Sequence, residues 1–398
     1  MTQPADLRPA LEPDPEALAV LSHALLQLQY DDALMALRPD YFTSPFPHVE
    51  MVQKLLPGLP ENLALAIRLF AFGEPVASTA LETLLGRELV EAGLVSGLLQ
   101  YDDHTDQFHT GGYTLISRLG LYFVVSANPY YATATADNAD VYMGPDSYTL
   151  INALAARAHQ LPTSGDALDL CCGSGIAGMS TLPWRPGLQW TGIDLSPGTV
   201  ATANFNAMLN GYDQSYRAVQ SNLFEAVSGR TFDLVVANPP FIPVPDGISY
   251  PIYGAGGSDG RLVLAPLLRA LPKHLTPSGR AIIYGEGLST EGRLLIEPDM
   301  DVLRDQGWDV RVTIFSEVTI ERALYTLGHM LARMKPPRLP EIVHWRDLFR
   351  QLHVDRYVKF IIDVQRGSGE CSVSRVCPDP EKLRSSAVNS PKREESQA

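Results

Sequence analysis

The chain has 398 residues, a hydrophobic share of 45% and a formal net charge of −14. That length exceeds one ordinary domain and the apolar share is sufficient for a core, so we expect two domains and a tail. No apolar run approaches the roughly 20 residues that cross a bilayer, and no secretory signal opens the chain. The sequence therefore predicts a cytoplasmic protein with no membrane partner.

The acidic residues are concentrated in the first part of the chain. Residues 1–150 hold 19 Asp and Glu against 6 Lys and Arg, a balance of −13, whereas the remaining residues hold 26 against 25. Nucleic-acid backbones are bound mainly through Lys and Arg. The N-terminal part is therefore expected to dock protein rather than nucleic acid.

The four cysteines exclude a disulfide framework and a zinc site. Cys171 and Cys172 are adjacent, and Cys371 and Cys377 lie in a polar C-terminal stretch. Neither pair has metal-ligand spacing, so the sequence predicts no metal.

In chain order, helical spacing comes first, over about 15–72 and 76–96. Alternating, β-rich stretches follow around Gly111 and Gly112. Helices followed by a hairpin predict a helical and winged-helix-like N-terminal domain over residues 1–140. Such modules bind DNA, dock proteins or dimerise, and the acidity favours a protein partner.

Strand and helix patterns then alternate through residues 141–365. This order predicts an α/β fold with a Rossmann-like, doubly wound parallel sheet, in which ligands bind beyond the carboxyl ends of the strands. Residues 366–398 have no periodicity and are predicted to be a disordered tail. The strand patterns are ALDLCC, LQWTGIDL, YRAVQSNL, FDLVVAN, GRAIIYG, WDVRVTIF and YVKFIIDV.

The end of the first of these strands carries a glycine turn. Asp169 is followed by the stretch from Gly173 through Gly175 to Gly178, which matches the dinucleotide pattern GxGxxG. Glycines let a ligand approach the backbone closely, and any nucleoside with a polar tail would benefit equally. A nicotinamide-dependent oxidoreductase is a rival interpretation on this match alone.

Two further strand ends suggest a nucleoside. Asp194 ends WTGIDL, where a carboxylate can accept hydrogen bonds from both ribose hydroxyls or can cap the next helix. Asn222 in QSNLF can meet an adenine edge or serve as a turn residue.

The fourth strand end, DLVVANPPF, distinguishes methyl transfer from hydride transfer. Pro239 and Pro240 lack N–H groups and terminate the strand after Asn238. The side-chain oxygen of Asn238 and the main-chain oxygen of Pro239 can therefore accept both N–H bonds of a planar NH2 group, while Phe241 supplies a flat apolar face. A hydride-transfer enzyme has no evident use for this tetrapeptide.

Two other segments have alternative interpretations. VYMGPDS, over 141–147, could cover the cofactor or substrate through Tyr142, Asp146 or Ser147, or could be an interdomain linker. GAGGSDGR, over 254–261, could be a flexible substrate loop or a plain glycine-rich connection.

Taken together, ALDLCCGSG, GIDLS, SNLF, VVANPPF and YGAGGSDGRL resemble class I S-adenosylmethionine-dependent methyltransferases of the "methyltransferase small" type. The similarity covers residues of about 141 to 315. The closest pattern is that of the HemK-type glutamine-N5 methyltransferases of release factors and their relatives acting on guanine N2 or adenine N6.

The resemblance implies a seven-stranded sheet and S-adenosyl-L-methionine as cofactor. It also implies roles for individual residues. These are Asp169, Gly173 and Gly175 around the methionine part, Asp194 on the ribose, Asn222 near the adenine, and Asn238 with Pro239 on the substrate nitrogen.

Three features depart from the family pattern. Cys171 stands in the cofactor loop where glycine is usual, and Asn222 stands where aspartate is usual. The N-terminal module does not look like the short helical bundle that normally precedes the catalytic domain.

The predicted function is S-adenosylmethionine-dependent N-methylation of a planar NH2 group, most closely a protein glutamine. An RNA or DNA base, a small biosynthetic molecule and a sensing module without turnover are the alternatives. The sequence leaves the substrate identity and the oligomeric state open.

Overall fold

The computed structural model describes residues 10–38, 52, 54–126, 141–333 and 337–376. In that part of the chain, no helix combines the length and apolarity needed to cross a membrane.

Short helices and two small sheets form the N-terminal part. The first helix begins at a clear signal, because the Asp14 side chain accepts a hydrogen bond from the Ala17 N–H at 2.8 Å and Pro15 occupies the first turn. The helices are α1 Pro15–Gln27, α2 Tyr30–Ala36, α3 Glu61–Ala66, which continues as the π-helical turn Ile67–Ala71, α4 Ser78–Leu85 and α5 Arg87–Val95. The strands are β1 Val76–Ala77, β2 Gln100–Asp102, β3 Gln107–His109, β4 Tyr113–Arg118 and β5 Leu121–Ser126.

The predicted β-rich stretches form two separate units. β3 pairs with both β1 and β2 in a three-stranded antiparallel sheet, and α4 and α5 lie between β1 and β2 in the chain. β4 and β5 form a second hairpin of their own. The winged-helix interpretation of the first unit stays a prediction, and residues 127–140, which precede the predicted domain boundary, lie outside the described residues.

The second part of the chain alternates strands and helices as expected. The helices are α6 Pro145–Ala156, α7 Ile176–Met179, α8 Pro197–Leu209, α9 Leu264–Ala270, α10 Glu297–Asp305, α11 Ile320–Arg333 and α12 Ile342–Gln351. The strands are β6 Ser164–Leu170, β7 Gly187–Asp194, β8 Tyr216–Gln220, β9 Phe232–Ala237, β10 Leu275–Thr290, β11 Arg293–Leu294, β12 Trp308–Thr319, β13 Arg356–Arg366 and β14 Cys371–Arg375.

These strands form one mixed sheet in the order β8-β7-β6-β9-β10-β13-β12-β14. Strands β6 to β10 are parallel, and β13 runs antiparallel between β10 and β12. A sheet covered on both faces favours continuous apolar strands, and the last four residues of β9, LVVA, follow this pattern. All seven predicted strands are present, which confirms the Rossmann-like α/β fold.

The sheet extends beyond the seven predicted strands. Strand β14 pairs in parallel with β12, from the Val310–Cys371 pair to the Ile314–Arg375 pair. The predicted disordered tail therefore does not begin at 366. The error arose because CSVSR has little apolar periodicity, so its strand form depends on backbone pairing with a distant edge. Residues 377–398 lie outside the described part.

Two asparagines on α8 connect the N-terminal part to the sheet domain. Asn206 accepts a hydrogen bond from the Val124 N–H at 2.8 Å and donates to the carbonyl oxygens of Val124 and Ser174, both at 3.0 Å. One turn later, Asn210 bonds both backbone groups of Tyr122, at 2.8 and 2.7 Å. The two amides thus satisfy the free edge of β5 as a neighbouring strand would.

We expect Asn206→Ala to destabilise the protein. Asn206 is fully buried, and its removal would leave backbone groups of Val124 and Ser174 without their partner, at a cost of about 1–3 kcal/mol in the free energy of unfolding. Urea denaturation followed by circular dichroism measures this change. Gln214→Ala, at an exposed position, is the control. Equal denaturation curves for the two variants would contradict a stabilising role of the Asn206 hydrogen bonds.

Candidate active site

A cavity of about 830 Å³ opens beyond the carboxyl ends of the parallel strands. This volume lies within the range of about 300–1,000 Å³ typical of small-molecule sites. Its lining includes nearly all of the site residues predicted from the sequence, namely Asp169, Cys171, Gly173, Asp194, Asn222, Asn238, Pro239, Pro240, Phe241, Tyr142, Asp146 and Ser147.

The strand register brings the predicted residues together. Leu170 is paired with Ile193 of β7 and with Ala237 of β9. Asp194 follows Ile193 at the end of β7, and Asn238 follows Ala237, the last residue of β9. Because parallel strands end at the same edge of a sheet, these two side chains lie in one row beside the glycine turn.

Gly173 has the conformation that a close ligand approach requires. Its φ is +55°, and its N–H donates to Asp194 Oδ2 at 3.1 Å. Cys171 also has a φ of +55°, a left-handed conformation that costs a residue with a side chain about 1–2 kcal/mol. This geometry explains why glycine is usual there. Burial raises the pKa of the Cys171 thiol well above its ordinary value, so the thiol stays protonated.

Gly175, by contrast, is not among the residues that line the cavity. Its φ of +79° suits the start of α7, and an added Cβ would collide with Met179 and lie 3.0 Å from the Tyr216 hydroxyl. The structure thus gives Gly175 a packing role, and its contact with the cofactor stays a prediction. Nothing in the sequence indicated this, because Tyr216 lies on β8.

Tyr216 fills space that glycines leave open. An added Cβ at Gly178 would lie 2.8 Å from the Tyr216 ring, and one at Gly192 would lie 2.5 Å from its hydroxyl. The hydroxyl thereby reaches Asp169 Oδ2, to which it donates at 3.2 Å. The third glycine of the GxGxxG match thus makes room for a buried tyrosine.

Asp169 is buried at the end of β6. Its Oδ2 accepts hydrogen bonds from the Gly178 N–H, at 3.1 Å, and from Tyr216. Burial raises the pKa of Asp169 to about 7, although both hydrogen bonds oppose that shift. A buried carboxylate of this kind can pair with a cationic group of a ligand.

Asp194 and Asn222 line the adjacent part of the cavity. Asp194 Oδ1 accepts from the Ser196 N–H at 3.2 Å, which holds the carboxylate at the end of β7. Asn222 is exposed and donates from Nδ2 to Glu225 Oε1 at 3.0 Å. Glu225 thus fixes the Asn222 amide.

Asn238 follows the last residue of β9 and carries a buried polar atom without a partner among the described residues. Its Nδ2 donates to Asp146 Oδ2 at 2.6 Å. Its Oδ1 is buried and has no hydrogen-bond partner in the part of the chain that the structure describes. Buried acceptors without partners are rare in proteins, and this one belongs to a residue that lines the cavity.

The segment after Asn238 is held by the glycine-rich loop. The Ile242 N–H donates to the Gly254 carbonyl and the Gly256 N–H donates to the Ile242 carbonyl, both at 2.8 Å. An added Cβ at Gly256 or Gly260 would lie 2.7 Å from the Phe241 backbone. The loop at 254–261 therefore packs against the backbone of the NPPF motif. The Phe241 ring packs against Tyr284, with centroids 5.5 Å apart.

Several lining residues were not predicted. Tyr253 stacks on Tyr142, with ring centroids 4.8 Å apart and planes 3° from parallel. Tyr250 donates from its hydroxyl to the Met330 sulfur at 3.8 Å. These contacts join segments far apart in the chain, so no local sequence signal indicates them.

The cavity fits S-adenosyl-L-methionine by the chemistry of its lining. Asp169 offers a carboxylate for an ammonium group, Asp194 offers one for ribose hydroxyls, and Gly173 allows close approach to the backbone. Over the described residues, no group of three His, Cys, Asp or Glu side chains is placed to hold a metal ion.

Comparison with known proteins identifies the central segment. Residues 143–246 match the methyltransferase small domain family. A release factor glutamine methyltransferase from Geobacter sulfurreducens is 32% identical over 143 residues, which cover 34% of this chain and 49% of the relative. A ribosomal protein uL3 glutamine methyltransferase from Xanthomonas campestris pv. campestris is 33% identical over 144 residues, covering 34% and 46%. The chain spans about half the length of these curated relatives.

Among solved structures, the ribosomal protein L11 methylase from Lactobacillus delbrueckii subsp. bulgaricus is 17% identical, with a TM-score of 0.33 over 57% of this chain and 81% of that chain. The fold assignment rests on the strand order rather than on this low score. The match to the methyltransferase small domain family covers residues 143–246. The resemblance drawn from the sequence, with its cofactor S-adenosyl-L-methionine, is confirmed for this segment.

We expect cofactor affinity to depend on pH through Asp169. Because its pKa is about 7, the carboxylate that we expect to face the ligand's ammonium is lost as pH falls through 7. Affinity should then fall by up to about tenfold per pH unit below 7. Calorimetric titration with S-adenosylhomocysteine between about pH 5.5 and 8 measures this. Asp169→Asn should bind weakly with no such slope, and a flat wild-type profile would contradict the assignment.

The free protein should show the opposite dependence. The folded-state pKa of about 7 lies above the ordinary value of 3.8. The folded state therefore holds a proton that the unfolded chain has released, and this contribution to stability is lost as pH rises from about 4 to about 7. The free energy of unfolding of the wild type should therefore fall across that interval, whereas Asp169→Asn should lack this contribution. Chemical denaturation of both proteins at several pH values measures the difference.

Proposed function

We propose that the protein transfers a methyl group from S-adenosyl-L-methionine to the planar NH2 nitrogen of a protein glutamine side chain. The observation that carries the proposal is the buried Oδ1 of Asn238, which has no partner among the described residues and belongs to a cavity-lining side chain. Leaving such an acceptor unpaired costs about 1–3 kcal/mol. A ligand N–H would remove that cost.

The residues at the end of β9 suit a primary amide. Asn238 Oδ1 and the main-chain oxygen of Pro239 are the two acceptors, one for each N–H of the target nitrogen. Neither Pro239 nor Pro240 has an N–H that could compete for these oxygens. Fixing the nitrogen in a near-attack geometry can supply about 7–11 kcal/mol of the barrier.

S-adenosyl-L-methionine, when bound, supplies an electrophilic methyl carbon whose bond to sulfur breaks, with its electron pair staying on sulfur, as the new N–C bond forms. The acceptor nitrogen contributes its lone pair to that bond and then releases one N–H proton to solvent. We assign Asp169 and Gly173 to the methionine part, Asp194 to the ribose, Asn222 to the adenine side, and Phe241 to the apolar wall beside the acceptor. Cys171 contributes backbone close to the cofactor.

The charge of the cavity favours a protein over a nucleic acid. Among the residues that the structure describes, its lining contains the carboxylates of Asp146, Asp169 and Asp194 and no Lys, Arg or His. A phosphate backbone would need cations near the entrance, whereas a glutamine side chain is neutral. Exposed apolar side chains of Leu195 and Leu262 line the same cavity and suit a polypeptide.

The similar proteins named above support the same acceptor, since they are named for glutamine methylation of release factor and of ribosomal protein uL3. We therefore propose a protein of the translation apparatus as partner and a cytoplasmic location. Residues 1–140 are proposed as an acidic domain that docks this protein, and residues 141–365 as the domain that carries the site.

We expect Asn238→Ala to lose transfer by about 10²–10³-fold, the size of effect found when one positioned hydrogen-bonding group is removed from an active site. Transfer of labelled methyl from S-adenosyl-L-methionine into the protein, nucleic-acid and small-molecule fractions of a cell extract measures this. The label should enter the protein fraction, and S-adenosylhomocysteine should still bind the variant.

Asn62→Ala, in a helix of the N-terminal part, is the matched control and should transfer normally. Full methyl transfer by Asn238→Ala would contradict the role assigned to Asn238. Label in the nucleic-acid or small-molecule fraction would instead support a base or a small molecule as acceptor, and cofactor binding without transfer would support a sensing module.

A further inference from the structure

We propose that Asp146 is a positioning residue, which fixes the Asn238 amide with its oxygen toward the cavity and strengthens that oxygen as an acceptor. This inference rests on the proposed function, because it explains how the Asn238 side chain is prepared for a target NH2 group. Asp146 is 7% exposed, near the start of α6, and the two residues are 92 positions apart in the chain.

The argument begins with the symmetry of a primary amide. The oxygen and the NH2 group of asparagine have nearly the same shape, so hydrogen-bond partners decide which of them faces the ligand. An ionised carboxylate only accepts hydrogen bonds, and Asp146 Oδ2 lies 2.6 Å from Asn238 Nδ2. Rotating the amide by half a turn would place two oxygens in contact, so Asp146 permits one orientation.

Asp146 is itself held in place. Its other oxygen, Oδ1, accepts from the Tyr142 hydroxyl at 3.1 Å, and the Tyr142 ring stacks on Tyr253. Gly144 lies against this pair, because an added Cβ would collide with Tyr142 and lie 2.6 Å from Asp146 Oδ1. The segment at 141–147, for which the sequence left a linker and a covering role open, thus builds a support beneath the proposed acceptor site.

The hydrogen bond also has an electrostatic effect. A carboxylate that accepts a hydrogen bond from the amide N–H pushes electron density through the amide toward its oxygen. Hydrogen bonds in such chains strengthen one another. In addition, the negative charge of Asp146 lies close to the place where the acceptor nitrogen gains positive charge during transfer.

Packing alone does not explain a carboxylate at this position, because burying a charged group is costly. Desolvation raises the pKa of Asp146, and the Asn238 hydrogen bond is the strongest contact that lowers it. A carboxylate in the first turn of α6 favours the helix, but an exposed carboxylate would do the same.

Two substitutions separate positioning from a merely structural role. Asp146→Leu removes the acceptor for the Asn238 NH2 group, whereas Asp146→Asn keeps an acceptor oxygen of the same shape without the charge. Asp213→Asn, at an exposed position of the same domain, is the matched control. All are compared at saturating cofactor by initial rate of methyl transfer into the protein fraction of the extract.

We expect the rate to fall about 100-fold in Asp146→Leu and about tenfold in Asp146→Asn, while the dissociation constant for S-adenosylhomocysteine changes by less than about threefold in both. An independent readout uses protein labelled with ¹⁵N only at asparagine. The side-chain NH2 pair of Asn238, identified by its absence from Asn238→Ala, should have a strongly deshielded proton in the wild type. That proton should return to an ordinary shift in Asp146→Leu.

The outcomes are distinguishable. If the wild type transfers no label, or Asn238→Ala stays active, the proposed function fails, whatever the spectra show. If Asn238→Ala is inactive but both Asp146 variants keep wild-type rates and Asn238 shifts, only this inference is overturned. If Asp146→Leu does not fold, Asp146→Asn decides, and a wild-type rate with an unshifted Asn238 resonance overturns the proposal.

Discussion

The parallel pairing of β6 with β7 and β9 is the constraint on which the site depends. Leu170 is paired with both Ile193 and Ala237, so the residues that follow these three lie at the same level of the sheet. Backbone hydrogen bonds, which the strands must form in any case, thereby bring Asp194 and Asn238 together. A one-residue shift in either pair would turn one of these proposed site residues to the opposite face.

The glycine turn shows how one sequence pattern can serve different ligands. GxGxxG matched the dinucleotide pattern letter for letter, yet only its first glycine lines the cavity. The others create space for Met179, Tyr216 and Trp190. The pattern therefore describes a tight strand-to-helix turn with close packing beneath it, a requirement that nucleotide-binding and methyl-transfer sites share. Asn238 and the two prolines, and not the glycines, distinguish the two chemistries.

Local patterns predicted most of the fold, and distant pairing explains what they missed. The seven strands of the sheet could be predicted because each is a short apolar run bounded by turn residues. Strand β14 could not, since CSVSR becomes a strand only by pairing with β12. Strand ends likewise indicated Asp169, Asp194 and Asn238. The partners Tyr216 and Tyr253 lie elsewhere in the chain, so no sequence spacing connects them to the site.

Two unfavourable features meet at one hydrogen bond in the proposed active site. Asp146 is a buried carboxylate with a raised pKa, and Asn238 Oδ1 is a buried acceptor without a partner in the described structure. Each would be expected to lower the stability of the folded protein. A core selected for stability alone would replace both with apolar side chains of similar volume. That they occur together, joined at 2.6 Å and supported by Tyr142, is what a site arranged in advance of its ligand requires. The folded protein is less stable because of these two groups, but the acceptor oxygen needs no reorientation when the substrate nitrogen arrives.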